Sequence, residues 1–290
     1  MAAPKGIFSV FSDCPASSPE VALCQLGQTT SGEFSIGNTK VPINKTITLQ
    51  GGAIETGKVL NEYYLVPASD GNSLSKTELN VPGGLLDLIN CTEIKGEGIF
   101  EKLERATKLD RATCKGIFEN GATGVTATTE LVATEQNPAI LNVANLFFEQ
   151  GTAITLPVRV HLKNPLLGEG CYVGSTSSPI QLHLTTGTTS PPPPNKPIKG
   201  KAGETIVEEE KGYEVDVLKN NTLVDNSFSA PVAEGCGGFF FVPHRPTRRR
   251  QTRLAICCWQ EHGHPERTLK TVEASAVIAS EKWRFCSFRG

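Results

Sequence analysis

The stretch that most constrains this chain is Ile154–Leu162, which reads ITLPVRVHL. Apolar side chains fall at Ile154, Leu156, Val158, Val160 and Leu162, and polar or turn-forming residues fall between them at Thr155, Pro157, Arg159 and His161. A helix would scatter that alternation around its circumference; a strand places one set on a buried face and the other on a wet face. Ile180–Leu184 (IQLHL) repeats the pattern in phase, and the Pro165–Ser178 connection between the two carries Cys171. These segments read as the central pair of a mainly β domain. The expected fold is an antiparallel β-sandwich or barrel-like domain with two or three short helices.

The other segments extend that picture. Gly6–Phe11 (GIFSVF) reads as an N-terminal strand closed by Cys14-Pro15. Glu33–Ile36 and Val41–Leu49 read as a hairpin joined through Gly37-Asn38, a pair that tolerates positive φ, with Pro42 at an edge or strand start. Tyr63–Val66 is another apolar run before a turn at Asp70-Gly71-Asn72, and Pro82-Gly83-Gly84 opens a short helix at Leu85–Ile89. Gly98–Arg111 is a charged helical candidate containing the tandem KLERAT (Lys102–Thr107) and KLDRAT (Lys108–Thr113), a local duplication too short for a repeat fold. Gly124–Val132 alternates again. Asn137-Pro138 gives a helix start, with Ala139–Gln150 as the helix and Gly151 as its stop. Gly187–Gly200 is a proline-rich connection that needs no partner beyond the domain surface. Glu208–Lys211 is a charged loop rim, and Tyr213–Leu218 and Leu223–Ser229 are the last strands before Cys236-Gly237-Gly238.

Charge divides the chain in two. Up to Phe241 there are 18 Lys and Arg against 26 Asp and Glu, a balance of −8; from Val242 to Gly290 there are 10 against 4, a balance of +6. Eight of the eleven arginines and both tryptophans follow Val242. The expected division is therefore a mainly β domain over 1–241 and an anomalous basic, Arg- and Cys-rich tail over 242–290, poorly ordered or out of frame. Within the tail, Arg245, Arg248, Arg249, Arg250 and Arg253 could meet phosphates, and Cys257, Cys258, His262, His264 and Cys286 could hold zinc. Adjacent cysteines are not a zinc-finger spacing, however. Shifted by one base, codons for His244–Arg267 can be chosen that read IDPLVDAKLGLPSAAGKNTAILNG, which has the low-arginine, aliphatic character of the preceding text.

Cysteines before the tail form an even set: Cys14, Cys24, Cys91, Cys114, Cys171 and Cys236. No Cys-x-x-Cys or zinc-ribbon spacing occurs among them. Three disulfides in an exported protein fit this spread, with neighbours in sequence as the simplest of the fifteen pairings: Cys14–Cys24, Cys91–Cys114 and Cys171–Cys236. Met1-Ala2-Ala3-Pro4 reads as a mature N-terminus just past an A-x-A cleavage site, with an initiator Met added. No run approaches the roughly 20 apolar residues of a membrane helix.

The segments APKGIFSVF, GEFSIGNTKVPINKTITLQGG, KTELNVPGGL, LPVRVHLKNPLLG, PIQLHLTTG, PNKPIKG and VDNSFSAPVAEGCGG carry a resemblance. Over about Ala3–Gly238 the chain resembles an uncharacterised family of secreted actinobacterial proteins. The resemblance implies export, a removed signal peptide and a location outside the cell or at its surface. It implies no activity. The duplication and the tail depart from it.

The chain contains no G-x-S-x-G elbow, Walker loop, dinucleotide fingerprint or H-E-x-x-H. Sugar stacking is poorly provided for, with no Trp before the tail and four Tyr. Before the tail the histidines are His161 and His183, both on the polar face of the central pair. With Arg159 they form the weak candidate polar cluster, and on antiparallel strands the two imidazoles could lie side by side. No catalytic, cofactor-binding or metal site is assigned. The reading is a secreted or surface-associated, non-catalytic β protein, monomeric, with no cofactor and no nucleic-acid partner. The rival readings are a secreted hydrolase of unrecognised type, and nucleic-acid or zinc binding through the tail.

Overall fold

A computed structural model describes residues 5–36, 39–84, 124–164, 167–210, 213–236 and 272–287; within 272–287 only Arg284 and Phe285 have described side chains. Strand predominates. In chain order the strands are β1 (Leu23–Ile36), β2 (Thr39–Pro42), β3 (Ile47–Glu55), β4 (Glu62–Val66), β5 (Glu78–Val81), β6 (Val125–Leu131), β7 (Ile140–Asn142) and β8 (Ile154–Lys163). There follow β9 (Tyr172–Val173), β10 (Ile180–Leu184), β11 (Glu204–Glu210), β12 (Tyr213–Asp225), β13 (Ser229–Ala230), β14 (Ala233–Glu234) and β15 (Val272–Ser287). A 3-10 helix spans Gly6–Phe11, and α1 spans Val143–Phe148.

The predicted central pair is present: β8 and β10 run antiparallel with Leu156 opposite Leu182. Every other ladder among the described residues is antiparallel too, and eight of their strands form a circuit. It runs β12–β15–β1–β3–β4–β7–β8–β10. The circuit closes through two backbone hydrogen bonds between Thr185, just past β10, and Val224 of β12 (3.0 and 2.9 Å). This connectivity is mainly β and antiparallel, as expected. Pro157 lies where β8 changes neighbour: β7 pairs up to Thr155 and β6 begins at Val158. A residue without an N–H is tolerated where the ladder on one side is interrupted.

The period-2 pattern sets what lies inside. Ile154, Leu156 and Val158 of β8, Ile180, Leu182 and Leu184 of β10, and Leu49 and Ala53 of β3 are buried in one apolar cluster. Burial of such side chains is worth about 1.5–3 kcal/mol each and is the main force closing the circuit. At one end α1 inserts Leu146, 0% exposed, and Phe147 packs on Phe285 of β15 with ring centroids 6.0 Å apart.

Several expectations are corrected. GIFSVF is a 3-10 helix, because Gly6 takes φ +65° and the segment turns rather than extends. Phe11 then docks into a second apolar cluster with Cys24, Leu26, Val215 and Val217. The hairpin about residues 37–38 is present, with Ile36 opposite Thr39, but its second strand ends at Pro42 and Ile47 starts β3. The helix expected over Ala139–Gln150 is shorter. Ile140–Asn142 is strand, drawn into the ladder by β4 and β8, and Asn142, not Asn137, is the cap, its Oδ1 accepting the Asn145 N–H at 2.9 Å. Within the expected tail, Val272–Ser287 is a strand between β1 and β12. The expected helices at Leu85–Ile89 and Gly98–Arg111, Cys91, Cys114 and residues 242–271 lie outside the described residues.

Candidate functional site

The residues singled out in the sequence sit on β8 and β10, and their register separates them. His183 lies opposite Thr155, whereas His161 lies opposite Thr128 on one side and Tyr172 on the other. Thr155 and His161 are six residues apart on one strand, roughly 20 Å. The side-by-side histidine pair therefore does not form; antiparallel pairing is correct, but the register brings the wrong rung.

Arg159 and His161 do share a site. Cross-strand pairing builds a row of Glu78, Thr128, His161, Tyr172 and Glu234 across β5, β6, β8, β9 and β14. Glu130, two residues beyond Thr128, lies opposite Arg159. The Arg159 guanidinium donates through Nε to Glu130 Oε2 at 2.8 Å and approaches the same oxygen through Nη2 at 2.7 Å. It also lies over the Tyr172 ring, 4.3 Å from the centroid, which favours a cation on the aromatic face. The His161 ring stacks on Tyr172 with centroids 4.3 Å apart.

The two nitrogens of His161 have different surroundings. Nε2 lies 3.0 Å from the Glu169 carbonyl oxygen, so this nitrogen carries the proton that it donates. Nδ1 faces Glu130 Oε1 at 3.9 Å, beyond hydrogen-bond length. At the end of the row Lys163 pairs with Glu78. The Lys163 ammonium holds the Glu78 carboxyl below its usual range, and Glu78 raises the Lys163 ammonium in turn. Charge and stacking thus link β5, β6, β8 and β9, and backbone pairing adds β14. Glu78, Glu130, Tyr172 and the Glu169 carbonyl were not singled out in the sequence, although the alternation of GVTATTELV already placed Thr126, Thr128 and Glu130 on one face.

His183 belongs elsewhere. Its backbone N–H donates to Asp225 Oδ2 at 2.6 Å, and its Nδ1 lies 3.5 Å from Thr155 Oγ1. Asp225 is 1% exposed, and its Oδ1 accepts from both the N–H (2.8 Å) and Oγ (2.7 Å) of Ser227. A buried carboxylate is tolerable when hydrogen bonds replace its water, and three do so here. Asp225 thus acts as a backbone staple, and His183 takes part through its amide.

Two of the three expected disulfides are present, Cys14–Cys24 and Cys171–Cys236. The first ties the N-terminal turn to β1. The second joins the loop before β9 to the end of β14 and packs with Val125 and Leu167 in a third apolar cluster. Among the described residues no three His, Cys, Asp or Glu side chains are grouped to hold a metal, and no helix is long and apolar enough to cross a membrane. No protein-family profile matches the chain, and neither does any curated protein or solved structure.

Proposed function

We propose that this chain is an exported or surface-held β module that acts by binding rather than by catalysis; of this, the resemblance to the secreted actinobacterial proteins implies export alone. The observation that carries this reading is the pair of disulfides, Cys14–Cys24 and Cys171–Cys236. Bonds of this kind persist in oxidising compartments and are rare where glutathione and thioredoxin keep thiols reduced. The polar face on β8 supports it too, since Arg159 and His161 already have partners within the sheet. The test is alkylation of the native protein without reductant, read by peptide mass. Cys14, Cys24, Cys171 and Cys236 stay unlabelled if the reading holds, and Cys91 and Cys114 stay unlabelled if the third disulfide exists. Labelling of the four bonded cysteines in protein recovered from its own host would overturn export.

A further inference from the structure

We propose that the interior of the β circuit is a binding site for the end of a neutral aliphatic chain. The site goes beyond the reading above and stands whether or not the protein is exported. Inside the wall lies a cavity of about 50 Å³, bounded by β1 and β3 on one side and by β8, β10 and β12 on the other. Its floor is aliphatic, with Leu156, Leu182 and Leu223 contributing. Gly27, buried in β1 opposite Leu49, adds no side chain to the space. Glycine inside a strand weakens it and often marks a place that something else approaches closely.

The cavity has a closed end and an accessible one. Toward Ile154 and Leu184 the interior is filled by the apolar cluster that also holds Leu146 of α1, 0% exposed. In the other direction its lining reaches Thr29, Phe34 and Thr129, all half-buried. Half-buried apolar side chains carry on from there, among them Ile36, Val41 and Val160. Eight strands leave an interior that side chains just fill or that holds one small ligand, and barrel mouths are recurrent ligand sites.

The lining selects the ligand. None of its side chains is charged, and its polar atoms are confined to the threonines and backbone, so a carboxylate or ammonium would lose its water for nothing. Water itself needs two to four polar partners, and an apolar cavity stays dry. At about 50 Å³ the space is smaller than the roughly 150 Å³ that accommodates benzene, so an aromatic ring does not fit. The leading carbons of an unbranched chain do, with a hydroxyl left beside Thr29 and Thr129.

The test is calorimetric titration of the whole protein with the straight-chain alcohols from ethanol to 1-octanol. Affinity rises roughly fourfold per methylene and levels off once cavity and rim are filled. Thr129→Phe, at the half-buried rim, abolishes saturable binding without lowering the unfolding midpoint. Leu182→Ala enlarges the floor and moves the plateau to alcohols one or two carbons longer, and it decides the matter if Thr129→Phe does not fold. Absence of saturable binding across the series overturns the proposal. So does a plateau that Leu182→Ala leaves in place, or full affinity in folded Thr129→Phe. None of these results bears on the alkylation experiment, so the two readings fail separately.

Discussion

The β circuit is held together in two contrasting ways. On one side β1, β15 and β12 form long ladders, from Leu23–Ser287 to Ile36–Ala274 and from Asp216–Phe285 to Asp225–Ala276. On the other side the chain just past β10 meets β12 through the isolated bridge Thr185–Val224, and the chain leading into β11 meets it at Lys201–Thr222. A ladder spreads its cohesion over many interchangeable rungs. The seam instead concentrates it in a few atoms that nothing duplicates. Asp225 supplies with a carboxylate what the next rung would supply with a carbonyl, accepting the His183 N–H. Gly200 lets the returning chain approach so closely that a Cβ there would run into the carbonyl oxygens of Thr222, Thr185 and Thr186. The proline-rich connection is thereby tied down: Gly200 N–H donates to Gly187 O at 2.8 Å, and Thr189 N–H to Ile198 O at 2.9 Å.

The contrast can be broken at the seam first. Asp225→Ala leaves the His183 N–H without its acceptor, removes both bonds to Ser227 and empties a buried site, and it should cost about 3 kcal/mol in urea unfolding. Gly200→Ala, adding one methyl against fixed backbone, should cost roughly 2 kcal/mol. Ser31→Ala, exposed in the β1 ladder, should stay within about 0.5 kcal/mol; a cost equal to that of Gly200→Ala would show that the ladder is no more tolerant than the seam.

The smallest effect belongs to the Glu78–Lys163 pair, which ties β5, outside the circuit, to the end of β8 and is well exposed. Glu78 titrates lower when folded, so its contribution is present above the ordinary carboxylate range of about 4.3 and is lost as pH falls through the lowered value. Lys163 titrates higher when folded, so its contribution is present below about 10.4 and is lost as pH rises through the raised value. Glu78→Gln should flatten both limbs of the stability–pH curve while moving the urea midpoint at neutral pH less than either seam variant.

What the sequence made legible follows the same division. Period-2 alternation is a local property, so β6, β8 and β10 could be read off directly, as could the two disulfides joining cysteines adjacent in the series. Register is not local. Nothing in IQLHL says whether His183 faces His161 or Thr155, and the candidate pair dissolved on that point alone. Asn137-Pro138 is a sound helix opening in isolation, but the ladders with Tyr64 and Thr155 extended Ile140 instead. β15 was obscured by composition, because the arginines and cysteines around it marked the whole tail as foreign. The seam was illegible because a buried aspartate and a crowded glycine look like any other turn residues until their neighbours are in place.

The position of β15 also imposes an order of events in time. Its partners β1 and β12 cannot be joined until Val272–Ser287 has been synthesised, and the Leu23–Ser287 rung links residues at opposite ends of the described chain. Such distant pairings make folding slow, since the loop must close before any rung rewards it. Meanwhile β1 and β12 each present an unpaired edge of the kind on which chains stick to one another. A nascent chain of this design must be held open until Val272–Ser287 has emerged, and a molecule truncated before Val272 should accumulate as aggregate rather than as a smaller folded domain.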